Sequence, residues 1–114
     1  MNKFYHFHQN NSGGSFDKDE NVNVHTIIEA ADADEANRIA EAVGIYFNGV
    51  EFNEDGENIG RDCECCGDRW NRVSEYDATE TPCRYGEPVD GSEEDVVIHR
   101  KWVAPKALKE RWGF

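Results

Sequence analysis

Three cysteines lie within four residues, in the segment DCECCGD at positions 62–68. Cys63 and Cys66, followed by Gly67, have the spacing of a zinc knuckle, in which two thiolates bind one tetrahedral ion and the glycine lets the backbone turn. The sequence has no second CxxC pair, so a closed site needs a distant cysteine and a histidine, with Cys65 pointing away. The predicted ligands of this zinc site are Cys63, Cys66, Cys83 and His25.

Other chemistries of these thiols are also open. Buried single cysteines behave as small apolar residues and need no metal. A redox pair normally begins a helix that lowers the thiol pKa, but Gly67 and Asp68 interrupt any helix here. A cysteine–histidine nucleophile would require an orienting group that no motif supplies. We therefore expect no enzymatic activity.

A second candidate site combines the NNSGG segment at positions 10–14 with the CCGDRW turn. Glycine amides can bind an anion, and an arginine beside an indole can pair with charge and stack on a base. The segment lacks the lysine and spacing of a phosphate loop, so an ordinary surface loop and a core-filling Trp70 are the simpler alternative. The candidate residues for a nucleotide-like ligand are Asn11, Ser12, Gly13, Gly14, Asp68, Arg69 and Trp70.

Two histidines alternate with aromatic residues near the start of the chain. His6 and His8 share one face of the strand predicted at positions 3–9. They could act as ligands or proton carriers, but we favour a partly buried polar stripe beside the aromatic side chains.

Charge and hydropathy set limits on the partners. The chain has 114 residues, which we treat as one domain, 1–114, and a net charge of -12. Five basic residues against Glu110 give +4 over positions 99–114, which leaves -16 for positions 1–98. Phosphate backbones and anionic lipids would be repelled by this body, so we expect no direct binding to nucleic acid or membrane. The mean hydropathy of -0.83 and an N-terminus without an apolar run predict neither a transmembrane span nor a secretory signal.

The elements that must position these residues begin with a strand–helix–strand unit. Alternating β-branched residues predict a strand over positions 22–28. Asp32 and Glu35 form a capping box that begins a helix, and Gly44 ends it. Positions 45–50 then predict a second strand, interrupted at Asn48-Gly49.

Further strands are predicted at positions 70–73 and 96–100, and solvated acidic loops at 51–57 and 87–95. Positions 99–114 form a basic amphipathic C-terminal segment, with a short helix after Pro105 that pairs Leu108 with Trp112. The predicted fold class is α+β, with a small antiparallel or mixed sheet of three to five strands and one or two helices packed on one face.

The order of three segments resembles a family. FYHFHQNNSGGSF, EAADADEANRIAEAVGIYFNGV and DCECCGDRW together are similar to a widespread group of small, functionally uncharacterised proteins of tailed bacteriophages. The resemblance spans positions 3–73, so a metal site that needs Cys83 would be peculiar to this chain. The recurring residues are Asn10, Asn11, Ser12, Gly13, Gly14, Gly44, Tyr46, Gly49, Asp62, Cys63, Cys65, Cys66, Gly67, Asp68, Arg69 and Trp70.

The resemblance implies a phage accessory protein made in the cytoplasm of the bacterial host, without implying an activity. We expect it to bind a host or antiviral-defence protein with a basic groove, and to inhibit or redirect that protein by surface occlusion through phosphate-like carboxylates. The alternatives are a nucleotide-like ligand and a zinc-stabilised interaction module. The candidate partner-binding residues are Glu93, Glu94, Asp95, Trp102 and Trp112.

Overall fold

The computed structural model describes residues 2–11, 14 and 16–100. Within that part of the chain it has one α-helix and five strands, which confirms the predicted α+β class. The elements in chain order are β1 (Lys3–His8), β2 (His25–Ala30), α1 (Ala33–Val43), a 3-10 turn (Glu75–Asp77), β3 (Cys83–Arg84), β4 (Glu87–Pro88) and β5 (Val96–His99).

A three-stranded mixed sheet with the order β1-β2-β5 organises the molecule. β1 runs antiparallel to β2, with Lys3 opposite Ala30 and His8 opposite His25. β5 runs parallel to β2, with His25 opposite Val96. Since parallel neighbours need a crossover connection, the strand that completes the unit begun by β2 and α1 is β5, more than fifty residues after the helix.

Helix α1 packs on one face of this sheet and forms as predicted. The Asp32 carboxylate accepts a hydrogen bond from the Glu35 N–H at 2.8 Å, and the Glu35 carboxylate accepts one from the Ala31 N–H at 3.1 Å. Gly44 ends the helix in the left-handed conformation, with φ of 116°. The buried stripe of the helix joins the larger core, which contains Tyr5, Phe7, Ile28, Ala36, Ile39, Ala40, Val43, Ile45 and Trp70.

The opposite face of the sheet carries a smaller core and contacts a hairpin that the sequence analysis missed. β3 and β4 pair antiparallel, with Arg84 opposite Glu87. Tyr85 and Gly86 form the two-residue turn between them and both have positive φ, 53° and 82°, as a type I′ hairpin turn requires. Phe4, Ile27 and Val96 are buried on this face.

The predicted strand at positions 45–50 is wrong. Asn48 has a φ of 59°, which an extended strand does not allow. The Val50 N–H donates to the Asp68 carboxylate at 2.8 Å, and the carbonyl of Gly49 accepts from the Asp62 N–H at 2.7 Å. Because these backbone groups bond to a loop and a side chain, they are not available for a ladder.

The predicted strand at positions 70–73 is also wrong, for a similar reason. The side-chain amide of Asn37, on α1, donates to the Val73 carbonyl at 3.0 Å and accepts from the Val73 N–H at 2.9 Å. One asparagine thus satisfies both backbone groups of Val73, and the segment is fixed to the helix. The strand predicted at 96–100 is confirmed as β5, whereas the strand predicted from position 22 begins at His25.

The predicted C-terminal helix after Pro105 lies outside the described residues. Within the part of the chain that the structure describes, no helix is both long and apolar enough to span a bilayer.

Candidate functional site

The cysteine turn brings three thiols together. The Sγ atoms of Cys63, Cys65 and Cys66 all lie within 4.8 Å of one another, and Cys65 and Cys66 are exposed. The turn closes through a hydrogen bond from the Gly67 N–H to the Cys63 carbonyl at 3.0 Å. Three clustered thiols are a donor set that could hold a thiophilic metal ion.

The spacing of the sulfur atoms fits a tetrahedral ion after a small adjustment. Two Zn–S bonds of about 2.3 Å at a tetrahedral angle place their sulfurs about 3.8 Å apart. The Sγ atoms of Cys65 and Cys66 are 3.7 Å apart, whereas those of Cys63 and Cys65 are 2.6 Å apart and would have to separate. Side-chain rotation at the exposed Cys65 can supply that movement.

Hydrogen bonding within the turn differentiates the thiols. The bond from the Cys65 thiol, with further bonds from the N–H groups of Cys65 and Cys66, lowers the pKa of Cys63. The same bond to Cys63, with a second to Cys66, raises the pKa of Cys65 to about 11. Cys63 is therefore deprotonated more readily than Cys65.

The structure brings together two of the four predicted zinc ligands. Cys63 and Cys66 belong to the cluster, but the third member is Cys65, which the CxxC pattern placed away from the ion. Cys83 is buried in β3 and His25 is buried in β2. The structure does not bring these two residues to the cysteine turn, because His25 lies on the sheet face that contacts the β3–β4 hairpin and Cys83 belongs to that hairpin.

The buried side chain of Asp62 supports the cysteine turn. Its side chain has no solvent exposure; it accepts from the Tyr46 hydroxyl at 2.8 Å and from the Arg69 N–H at 2.7 Å, and lies 3.5 Å from Arg69 Nε. Burial, followed by the bond to Asp62, raises the pKa of Tyr46 to about 12. Arg69 also pairs with Asp17 at 2.6 Å. A buried ionic network thus fixes both ends of the cysteine turn.

Asn10, the first residue of the NNSGG segment, contacts the cysteine turn. The Asn10 N–H donates to the Arg69 carbonyl at 2.8 Å, and the Asn10 side chain donates to the carbonyls of Cys66 and Asp68. Asn11 and Gly14 are exposed beside this junction. Ser12 and Gly13 lie outside the described residues.

The junction cannot use Trp70 to stack a base. Trp70 is 1% exposed and belongs to the larger core, so the core-filling alternative is the correct one. Arg69 is also buried and engaged by Asp62 and Asp17, and the Asp68 carboxylate accepts from Val50. These three side chains hold the turn instead of presenting a ligand pocket.

An acidic hairpin, residues 49–62, extends from the same network. The Ile59 N–H donates to the Glu51 carbonyl at 2.7 Å and the Asn53 N–H to the Glu57 carbonyl at 2.9 Å. At its base Gly49 and Gly60 pass so close that a Cβ on Gly60 would meet the Gly49 carbonyl. The sequence analysis predicted only a solvated loop here, but the backbone is ordered by its own hydrogen bonds.

The acidic hairpin presents both charge and apolar surface. Four carboxylates are exposed and form no salt bridge within the described residues: Glu51, Glu54, Asp55 and Glu57. Phe52 and Ile59, on the same hairpin, are 52% and 61% exposed. Because Phe52 pairs with Asn58, each face of the hairpin carries one of these two exposed apolar side chains.

The acidic loop at positions 87–95 carries the carboxylates that the sequence predicts to bind a partner. Two of these three carboxylates are less exposed than those of the acidic hairpin. Asp95 pairs with Arg84 at 3.2 Å and lies 3.7 Å from His25, and Glu93 is half-buried. Glu94 is the exposed acid of this group. Trp102 and Trp112 lie outside the described residues.

Comparisons with known proteins place the chain in a family without assigning an activity. A family model described as a domain of unknown function (DUF7296) matches residues 2–104, a span that includes Cys83 and the β3–β4 hairpin. No curated protein and no solved structure matches the chain. Since the family model covers most of the sequence, the chain belongs to the family described as domain of unknown function DUF7296.

Proposed function

We propose that this protein binds a basic partner protein and blocks or redirects it by covering its surface, with no catalytic step of its own. The observation that supports this best is the acidic hairpin, which combines four exposed carboxylates with the exposed side chains of Phe52 and Ile59. Carboxylates on an ordered backbone can present a phosphate-like field to a basic groove, while the two apolar side chains supply contact area.

The distribution of cations supports this proposal. Several basic side chains contact the protein's own acids or aromatic rings. These contacts are Lys3 with Glu80, Arg69 with Asp17 and Asp62, Arg84 with Asp95, Arg61 over the Tyr46 ring and Arg72 over the Phe47 ring. Within the described residues, none of these cations forms a salt bridge with the four carboxylates of the hairpin.

The resemblance to tailed-bacteriophage proteins suggests the setting of this contact. We propose a phage accessory role in the bacterial cytoplasm, with a host or antiviral-defence protein as the partner. A partner that handles nucleic acid would carry the kind of basic groove that a carboxylate surface complements.

We propose zinc as the ion of the cysteine turn, with a stabilising role. Cys63, Cys65 and Cys66 would supply three thiolates and leave one coordination position for water or a partner side chain. The turn and the acidic hairpin share Asp62 and Asp68, which bond to Tyr46, Arg69 and Val50. An ion at the turn would thereby restrain the base of the hairpin.

The test compares two charge reversals that change the net charge equally. The double variant Glu54→Lys, Asp55→Lys alters the acidic hairpin, and Glu20→Lys, Glu41→Lys alters exposed acids elsewhere. Tagged proteins are used to capture partners from bacterial lysate, and association rates of a captured partner are then measured at increasing salt. We expect the hairpin variant to lose capture and the control to keep it.

Association rates measured at increasing salt distinguish phosphate mimicry by the carboxylates from contacts that do not depend on charge. Steering by opposite charges is screened beyond about 10 Å at 0.1 M salt, so association should slow steeply as salt rises. A partner that binds both variants equally, at a rate independent of salt, would contradict the proposal.

A further inference from the structure

Three histidines converge on the sheet face that contacts the β3–β4 hairpin. The rings of His6 and His8, on β1, have centroids 5.6 Å apart, and the rings of His6 and His25 have centroids 5.1 Å apart. Tyr85 lies against all three, with centroid distances of 5.0 to 5.5 Å. Phe4, Ile27 and Val96 are buried on the same face, and the three imidazoles lie at one end of this apolar group.

The strand pairing explains why these side chains meet. His6 and His8 are two residues apart and therefore project from the same face of β1. Gln9 donates its N–H to the Val24 carbonyl, so Gln9 and Val24 form a hydrogen-bonded pair of the antiparallel ladder. The next pair, His8 and His25, is then a non-hydrogen-bonded pair, in which the facing side chains lie closer together. Two positions on one strand and the facing position on its neighbour thus carry histidine.

We propose that His6, His8 and His25 bind a divalent transition-metal ion, at a site separate from the cysteine turn. Three imidazoles with an open position are a donor set that suits zinc, nickel or copper. The inference uses only the geometry of β1, β2 and the hairpin, and does not depend on the proposed function of the acidic surface.

The distances require a small rearrangement. His6 Nε2 and His25 Nδ1 are 2.9 Å apart, and two Zn–N bonds of about 2.0–2.1 Å at a tetrahedral angle would place them about 3.3 Å apart. In the structure the three rings do not yet have three nitrogens within 4.8 Å of one another. His8 is exposed and can turn toward the other two.

The surroundings supply what a histidine site needs beyond its ligands. His25 Nε2, on the far side of its ring from His6, lies 3.7 Å from the Asp95 carboxylate, which is held by Arg84. A carboxylate at the second nitrogen orients a metal-binding imidazole and raises its basicity. A cleft of about 380 Å³, lined by His6, His8, Cys83 and Tyr85, gives an ion a path to the cluster.

Two rings of the cluster are partly shielded from water. Burial, with the neighbouring His25 and His8, lowers the pKa of His6 to about 4. Burial lowers the pKa of His25 as well, against the opposing effect of Asp95.

The test is made in a full-length background in which Cys63, Cys65 and Cys66 are replaced by serine, so that the cysteine turn contributes no ligand. Equilibrium dialysis and calorimetry with Zn²⁺ and Co²⁺ measure binding, and ¹H–¹⁵N spectra of the imidazoles report which rings respond. The variant is His8→Gln, an exposed position that the fold tolerates, and the matched control is His99→Gln, a histidine outside the cluster.

We expect the background protein to bind one ion, with imidazole shifts at His6, His8 and His25. His8→Gln should weaken that binding by at least about tenfold, whereas His99→Gln should leave it unchanged. A background protein that binds no stoichiometric ion would overturn the proposal. Binding that His8→Gln does not weaken, or that shifts only His99, would overturn it as well.

Discussion

Asp62 should be the most costly charged residue to change in the described part of the molecule. Its carboxylate is fully buried, accepts hydrogen bonds from the Tyr46 hydroxyl and the Arg69 N–H, and lies 3.5 Å from Arg69 Nε. Replacing it with asparagine keeps the size of the side chain but removes the charge that compensates a buried guanidinium. Breaking a buried ion pair from one side costs about 3–5 kcal/mol.

The structure places Asp62→Asn near the lower end of that range. Asp17 still pairs with Arg69 at 2.6 Å, and the remaining amide oxygen can accept one of the former hydrogen bonds. We therefore expect a loss of about 3 kcal/mol from the free energy of unfolding, a large fraction of the roughly 5–15 kcal/mol of a typical domain. Urea denaturation should show a lower midpoint with an unchanged slope.

Two variants of the same network serve as controls. The Asp17 side chain is 51% exposed, so Asp17→Asn should cost only about 0–1 kcal/mol although it contacts the same arginine. Tyr46→Phe removes one hydrogen bond to Asp62 and should cost about 1 kcal/mol. If Asp62→Asn unfolds within about 1 kcal/mol of the parent, the assignment of Asp62 as the support of the cysteine turn is wrong.

Three further predictions test the core and the cysteine turn. Elemental analysis should find one zinc fewer per chain in Cys65→Ser than in the parent, with no loss in Cys83→Ser; equal zinc in both variants would contradict the Cys63–Cys65–Cys66 site. Burial, followed by the bond to Glu75, raises the pKa of Tyr5 to about 12. The unfolded chain loses this proton near pH 10 while the native state keeps it, so Tyr5 should contribute about 1–2 kcal/mol to the stability loss from pH 10 to 12. Unfolding measurements should show the loss reduced by that amount in Tyr5→Phe, where the part due to Tyr46 remains, and unchanged in Tyr76→Phe, a change at a fully exposed tyrosine. Trp70→Ala should cost about 3–5 kcal/mol in urea denaturation, against less than about 0.5 kcal/mol for the exposed Phe52→Ala, and similar costs would contradict the burial of Trp70.

The sequence predicted those features whose determinants are close together in the chain. The start of α1 depends on Asp32 and Glu35, and its end depends on the left-handed conformation of Gly44. The capping residues and the buried stripe repeat at helical spacing, so one segment contains the whole pattern. The common face of His6 and His8 follows from strand periodicity in the same way.

The sequence failed where a distant side chain decides the local structure. Positions 45–50 have the composition of a strand, but Asp68 and Asp62 bond to this backbone from another loop. The Asn37 side chain bonds to both backbone groups of Val73, so these groups cannot pair with a neighbouring strand. The β3–β4 turn was missed because Tyr85 holds a left-handed conformation that hairpin signals assign to asparagine or glycine.

The cysteine turn is a further case in which the spacing of residues does not predict the position of a side chain. The CxxC template selects Cys63 and Cys66 as ligands and leaves Cys65, which lies between them, pointing to solvent. The bond that closes the turn from Gly67 to Cys63 instead places the Cys65 thiol against both neighbours. The participation of Cys65 depends on backbone geometry that the spacing of residue types does not encode.

The network around Asp62 links the cysteine turn to the acidic hairpin. Asp62 donates its N–H to the Gly49 carbonyl, accepts from the Asn58 side chain through its own carbonyl, and fixes Arg69 at the end of the turn. An ion that stabilises the turn therefore also stabilises the hairpin base, because binding to the native state alone shifts the folding equilibrium of every element coupled to it. For the ion and the partner proposed above, loss of the ion or of the Asp62 charge should weaken partner binding through the hairpin even though neither lies on its exposed surface.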